Sequence, residues 1–288
     1  MKLISFGEII WDVYPDEATL GGAPLNFAMH SVMRGSEVLM LSAVGDDELG
    51  KRALDMIGAA GVNTSAIQVI DGMGTGKCTV TLNDAGVPSY RIDEASAYDK
   101  IAVPSVSLSG YNALSFGTLA LRGDYNRKTL ESLMEKERFD EIFTDLNVRM
   151  PFCSGEAIRF CLSHATAVKI SDEELGTVVG LLSLPASDEA GAVKEIFKLY
   201  GQISLIIITR GGDGAACYER RGALTECAAY PATVASTVGA GDSFGASFLC
   251  EYMESGNVEK ALRLAAMVSA YVVSHKEAVP CGVDKIRL

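Results

Sequence analysis

An acidic residue just inside a helix that starts on small residues can do two kinds of work. The segment Thr237-Val238-Gly239-Ala240-Gly241-Asp242-Ser243-Phe244-Gly245 offers one. Gly239, Ala240 and Gly241 let the backbone turn tightly, and the apolar-periodic run to Ser255 opens a helix directly after them. Exposed N–H groups at such a start, with the helix dipole behind them, form an anion site. Asp242 falls in the first turn beside it. It could be a capping residue and nothing more. It could instead take the proton of a hydroxyl attacking a phosphoryl group held on the neighbouring N–H groups.

A second glycine-rich turn, Thr209-Arg210-Gly211-Gly212-Asp213-Gly214, follows the apolar run Leu205–Thr209. Open α/β sheets place ligands off the ends of central strands. Thr209 offers a hydroxyl there, and Gly211 and Gly214 allow a phosphate to approach the backbone. A plain β-turn into a strand at Ala215–Tyr218 accounts for the same residues, and both can hold together. Near the other end, Gly7-Glu8 leads to Asp12 and then to Leu20-Gly21-Gly22-Ala23-Pro24-Leu25-Asn26. Two glycines before a helix with Pro24 in its first turn are a start signal. Asp12 and Asn26 flank that opening, and short polar groups suit a polyol, whose hydroxyls each want a donor and an acceptor. They could equally satisfy local turns.

Other motifs fail on inspection. Gly76-Lys77 lacks the Walker A context, since Asp71 stands where a glycine is needed and Cys78 where the metal-binding Ser or Thr belongs. The first strand is not followed by G-x-G-x-x-G, and no G-x-S-x-G, H-E-x-x-H or protein-kinase catalytic loop occurs.

The elements that must position these groups alternate between short apolar runs and helical patterns, which argues for a mainly parallel sheet covered by helices. Strands are expected at Leu3–Phe6, Glu37–Val44, Ala113–Phe116, Glu141–Asp145, Ala167–Ile170 and Leu205–Thr209. Helices are expected at Ala23–Arg34, Asp47–Ala60, Tyr125–Glu137, Ser154–Ser163, Asp188–Tyr200, Gly241–Ser255 and Val258–His275. Two stretches break this rhythm. Val13–Leu20 is polar and turn-rich, and Gln68–Tyr98 holds two alternating segments joined by Asn83-Asp84-Ala85-Gly86, which is hairpin chemistry. Both could form a small sheet projecting as a lid, or a decorated edge of the main sheet.

Composition narrows the function further. Across 288 residues, 25 Lys and Arg face 37 Asp and Glu, a formal net charge of −12. A broad nucleic-acid footprint needs a basic surface and is not expected here. A hydrophobic content of 48% against 22% charged residues excludes a disordered chain. The seven cysteines are scattered without a C-x-x-C pair, so reduced thiols in the cytoplasm are expected rather than a zinc or disulfide framework. Gly7 and Glu8 break the first apolar stretch, a poor signal peptide. The uncharged stretch 101–121 carries Pro104, Gly110 and several serines and reads as a loop plus a buried strand, so no membrane span is expected.

With both ends read, the chain resembles the ribokinase-like carbohydrate kinases, also called the phosphofructokinase B family, over essentially its whole length. The resemblance rests on Gly21-Gly22-Ala23-Pro24-Leu25-Asn26, continued by Ala43-Val44-Gly45-Asp46-Asp47-Glu48-Leu49-Gly50, and on Thr237-Val238-Gly239-Ala240-Gly241-Asp242-Ser243-Phe244. It implies one α/β domain over residues 1–288, a three-layer sandwich with a mainly parallel central sheet and a small β-sheet lid from roughly residues 12–20 and 68–98. It also implies ATP with Mg²⁺, and phosphorylation of a sugar hydroxyl. By position, Asp242 resembles the catalytic base, and Gly239, Ala240 and Gly241 the anion hole. Asp12, Gly21, Gly22 and Asn26 resemble sugar-contacting positions, and Asn147 and Arg149 lie in a D-x-N-x-R segment lining the cleft. Lys169 and Ser171 open a motif whose last glutamate, Glu174, helps hold magnesium through water. Thr209, Gly211 and Gly214 resemble the nucleotide-phosphate turn. Arg91, on the expected hairpin, could reach over the sugar or be an exposed solvated arginine.

Ser236 and Glu277-Ala278 depart from the family pattern in regions linked to a monovalent cation, which puts K⁺ activation in doubt, although backbone carbonyls could still supply ligands. Gly-Gly-Ala-Pro-x-Asn is most similar to fructokinases. The expectation is an ATP-dependent kinase of a monosaccharide, fructose first, with ribose, keto-deoxygluconate, a sugar phosphate or a nucleoside as alternative acceptors. A non-catalytic sugar or nucleotide sensor is the rival from another class. An apolar lid face would be covered by pairing two lids, so a homodimer is expected.

Overall fold

The computed structural model describes residues 1–14, 16–82 and 88–288. In chain order the first half forms β1 (Lys2–Phe6), β2 (Ile10–Val13), β3 (Ala18–Gly21), α1 (Ala23–Met33), β4 (Glu37–Gly45), α2 (Glu48–Ala59), β5 (Ile67–Ile70), β6 (Gly76–Leu82) and β7 (Pro88–Ile92). Then come β8 (Ala113–Gly117), α3 (Asp124–Lys136), β9 (Glu141–Asp145), α4 (Gly155–His164), β10 (Ala167–Ser171), α5 (Asp172–Leu182) and α6 (Glu189–Leu199). The chain finishes with β11 (Leu205–Thr209), β12 (Ala215–Glu219), β13 (Leu224–Cys227), α7 (Ala240–Ser255) and α8 (Val258–Val273).

Nine strands make the main sheet in the order β13-β12-β11-β10-β9-β8-β1-β4-β5. Every pairing from β11 to β5 is parallel, and β12 and β13 add an antiparallel edge. Parallel strands covered on both faces need apolar side chains in both directions, and β11 shows why they suffice. Ile206 and Ile208 enter the core on one side with Leu130, Ile158, Val178 and Ile196 of α3, α4, α5 and α6. Leu205 and Ile207 enter the core on the other with Leu25, Ile57, Phe248 and Leu262 of α1, α2, α7 and α8. The result is a helix–sheet–helix sandwich.

After β1 the chain moves to β4 on one side, and the adjacent β8 leads to β9 on the other, so the order reverses between β1 and β8. That reversal opens a crevice at the carboxyl ends of the strands, where such sheets bind ligands. The segments after β1, β8, β9, β10 and β11 all end on this edge.

The second sheet, β3-β2-β6-β7, stands on the same edge. It draws on both stretches that break the βα rhythm, and the turn at Asn83-Asp84-Ala85-Gly86 lies outside the described residues. Its register puts Ile10, Asp12 and Cys78 on one face and Trp11, Val13, Thr79 and Arg91 on the other. Ile10 and Cys78 pack with Tyr98 and Leu119, so the Asp12 face turns toward the crevice. Trp11 is fully buried, donates from its indole nitrogen to the Leu49 carbonyl at 3.1 Å and lies under the Arg52 guanidinium.

Candidate active site

Asp242 sits in the first turn of α7, whose N-cap, Gly239, has φ of +79° and no side-chain cap. Glycine is required there twice over, because a Cβ would also come within 2.5 Å of the Ala278 carbonyl oxygen. The Ala240 amide makes a long 3.3 Å bond back to the Thr237 carbonyl, while the Gly241 and Asp242 amides have no protein acceptor among the described residues. Of the three anion-hole positions, the Gly239 and Gly241 amides are therefore unpartnered donors among the described residues, and Asp242 adds its own amide. A Cβ on Gly241 would lie 3.2 Å from Lys169 Nζ, so the buried Lys169 stands against this turn.

The Asp242 carboxylate accepts a 2.8 Å hydrogen bond from Asn26 Nδ2 of α1. Burial pushes its pKa up to about 6, with the Asp145 charge adding to the rise, while Asn26, Lys169 and Arg149 pull it down. A carboxylate poised near neutrality, hydrogen-bonded in one orientation and set beside free backbone donors, has the attributes of a general base.

Two further carboxyl groups, Asp145 and Glu8, complete the acidic cluster. Asp145, at the end of β9, pairs with Lys169 of β10 at 2.8 Å, and its Oδ1 has no partner. Burial alone would lower the Lys169 pKa, but the Asp145 carboxylate, with Glu174 and Asp242 beyond it, raises it above its ordinary value. Glu8, two residues beyond β1, is 3% exposed, and burial pushes it up to about 7. Glu8, Asp145, Asn147 and Asp242 line one cavity floored by Phe27 and Phe143, whose rings are 5.4 Å apart. Asn147 adopts φ of +40°, and its neighbours are pinned: Thr118 Oγ1 donates to the Leu146 carbonyl at 2.6 Å, and Val148 N donates to Glu174 Oε1 at 2.6 Å.

The remaining positions fall into place unevenly. Asp12 faces the crevice, hydrogen-bonded by the Cys78 thiol and raised by burial, with Gly21 beside its Oδ2. Gly22 has φ of +112° at the N-cap of α1, and a Cβ there would come within 2.5 Å of the Glu8 carbonyl oxygen. Arg149 is exposed at the rim, and its charge reaches Glu8, Asp12, Asp145 and Asp242. Ser171 pairs in register with Thr209, and Thr209, Gly211 and Gly214 shape the turn off β11, closed by Arg210 N donating to the Gly214 carbonyl at 2.8 Å. Arg210 itself is spent on Glu189 and Glu226.

Two expected roles meet a different geometry. Arg91 is exposed on the face of the small sheet opposite Asp12, so it is not brought to the cluster. Glu174 and Ser171 form a capping box: Glu174 Oε2 accepts from Ser171 N at 2.9 Å, Ser171 Oγ accepts from Glu174 N at 3.2 Å, and Oε1 is taken by Val148. The described residues group no three His, Cys, Asp or Glu side chains that could hold a metal by themselves.

Two groups at this site, Glu8 and His30, carry no role in the sequence reading, and Asp145 enters it only as the first residue of the D-x-N-x-R segment. Glu8 had only its place at a strand end to mark it. His30, fully buried one turn beyond Asn26 on α1, donates from Nε2 to the Ala278 carbonyl at 2.9 Å. Its bond holds the segment that packs against Gly239, and burial lowers its pKa to about 4.

Comparison with known proteins places this geometry in context. The family described as pfkB family carbohydrate kinase matches residues 4–285. The chain is similar to a probable fructokinase-4 of Arabidopsis thaliana, 25% identical with 96% of this chain and 92% of the other covered. It is also similar to a 5-dehydro-2-deoxygluconokinase of Bacillus velezensis, 25% identical with 93% and 84% covered. Among solved structures, a fructokinase from Xylella fastidiosa with bound ATP superposes with a TM-score of 0.87 at 22% identity, covering 96% and 94% of the two chains.

Proposed function

The chain belongs to the pfkB family of carbohydrate kinases, and from that premise we propose that it moves the γ-phosphoryl group of ATP to a hydroxyl of a monosaccharide, fructose first. The observation that carries this reading is Asp242: a buried carboxylate with pKa near 6, oriented by Asn26, one residue past unpaired amides at a helix start. In the proposed reaction the sugar lies between Asp12 and Asn26, and Asp242 takes the proton of its attacking hydroxyl. The Gly241 and Asp242 amides, with Lys169 beside them, receive the charge that develops on the phosphoryl oxygens. The β- and γ-phosphates of ATP extend toward Thr209 and the Gly211–Gly214 turn.

A magnesium ion fits these residues as one bound chiefly by water and phosphate oxygens, the usual manner for this ion. The unpartnered Asp145 Oδ1 is the protein atom best placed for it, with Glu174 acting through the loop it pins rather than through a free oxygen. Magnesium, when bound, would neutralise phosphate charge. K⁺ activation, in doubt from Ser236 and Glu277, is tested by comparing turnover in sodium and potassium salts; the Ala278 carbonyl accepts from His30 with one of its two lone pairs.

The small sheet would act as a lid, since its Asp12 face turns to the crevice and closing it would exclude water. We also retain a homodimer through that sheet, tested by light scattering, and a cytoplasmic location, which suits seven unpaired cysteines. No helix of the described residues is long and apolar enough to cross a membrane.

The experiment is an ATP-consumption screen over fructose, ribose, keto-deoxygluconate, fructose phosphates and adenosine. Turnover with a neutral hexose supports the reading. The relatedness to 5-dehydro-2-deoxygluconokinases supports a sugar acid as the second acceptor class. ATP binding without turnover of any acceptor would favour a sensor and refute the reading.

A further inference from the structure

We propose that Glu8 accepts a hydrogen bond from a hydroxyl of the sugar and thereby selects neutral polyhydroxy acceptors over sugar acids, a role that rests on the kinase reading above. Glu8 stands where the crevice opens between β1 and β8, and only 3% of it is exposed. Its Oε2 has no hydrogen-bond partner among the described residues. An orphaned buried carboxylate oxygen costs stability, and such groups persist where a ligand completes them.

The cavity beside it measures about 20 Å³, the room that one hydroxyl or one water needs. Its walls carry three carboxyl groups, Glu8, Asp145 and Asp242, and no lysine or arginine. A hydroxyl entering there finds an acceptor. A substrate carboxylate would meet like charges in a place where water screens them poorly. The charged and titratable groups that face Glu8 are Asp242, Arg149, Arg122 and Tyr98. Arg122 is pinned to Asp99 by bonds of 2.7 and 2.6 Å, and Arg149 is exposed at the rim, so neither is placed inside the cavity to receive an acid. Burial holds the free carboxyl at about 7, and a donated hydroxyl favours its ionised form.

The test is steady-state kinetics of Glu8→Gln with MgATP at pH 8, using fructose and ribose as neutral probes and keto-deoxygluconate as the acid probe. Loss of a hydrogen bond to a charged acceptor should raise the KM of the preferred neutral sugar roughly 10- to 100-fold. The KM for ATP should stay within about twofold, and the neutral-to-acid ratio of kcat/KM should fall at least about tenfold. The variant should melt no lower than the wild type at this pH, since it removes an unpaired buried charge. If it does not fold, Glu8→Asp, which keeps the charge and withdraws it by one methylene, must show the same rise in sugar KM. A folded variant with sugar KM and acid ratio unchanged, or with kcat alone reduced, would overturn the role, as would a wild type that prefers the acid. A wild type that turns over no sugar overturns the kinase reading itself and this role with it. Because wild-type turnover is measured first, the two failures are told apart.

Discussion

Replacing Asp242 by Asn should make the protein more stable and nearly inactive, and the size of each change follows from the carboxylate's surroundings. Asn keeps the shape and can still accept the hydrogen bond from Asn26, but it carries no charge. Asp242 has a pKa near 6 in the fold against 3.8 as a free side chain. The rise corresponds to about 3 kcal/mol. The sign follows from linkage. A carboxyl whose folded pKa is raised binds its proton more tightly in the native state, so stability is favoured below 3.8 and lost as pH rises to 6, where the cost is complete. Asn carries no such cost. At pH 8 the variant should therefore be more stable by about 3 kcal/mol, a rise in Tm of roughly 5–10 °C for a domain of this size. At pH 4 the difference should nearly vanish. Activity should move the other way, with kcat down about 10²- to 10⁴-fold and the Kd for ATP little changed. Paired urea unfolding curves at pH 4 and 8, read with ATP binding and turnover, test both halves. Stabilisation equal at both pH values would refute the desolvation argument. Full activity would refute the assignment of Asp242 as base.

Other perturbations probe the support around this group. His30→Phe leaves the Ala278 carbonyl without its donor and should cost about 1–3 kcal/mol of stability; kcat should fall while sugar KM holds, and His30→Gln should recover part of it. Lys169→Met strands a buried Asp145 carboxylate and should destabilise by about 3–5 kcal/mol at pH 8, less at pH 4, as denaturant titration would show.

Strands β9 and β11 coincide residue for residue with the expectation from short apolar runs, because a strand buried on both faces leaves that mark wherever it lies. Helix α5 left none: Gly176, Gly180 and two valines give it poor intrinsic helicity, and its stability comes from packing Leu175 and Val178. Its start signal, Ser171 with Glu174, was present but read as a metal-binding motif rather than as a cap. Arg91 shows a different limit. A shift of one residue in register moves a side chain to the other face, and nothing in the alternating hairpin sequence specifies which face meets the crevice. Asp242 and the glycines around it were legible because helix chemistry and backbone turns are local. Glu8 and His30 were not, because their roles come into being only when the segment after β1 and the 278 segment are brought to the site by the fold.

The bonds from α1 to the far end of the chain, Asn26 to Asp242 and His30 to Ala278, span 216 and 248 positions in sequence. Their consequence is temporal. During synthesis, the residues assigned to the sugar emerge early, and β1, β4 and α1 can begin to assemble, yet Asp242, proposed as the base, and the amides beside it are added in the last fifth of the chain. Loop closure of this length is slow relative to local helix formation, so the reactive centre is among the final features to appear. An interrupted chain lacks Asp242 and the amides beside it.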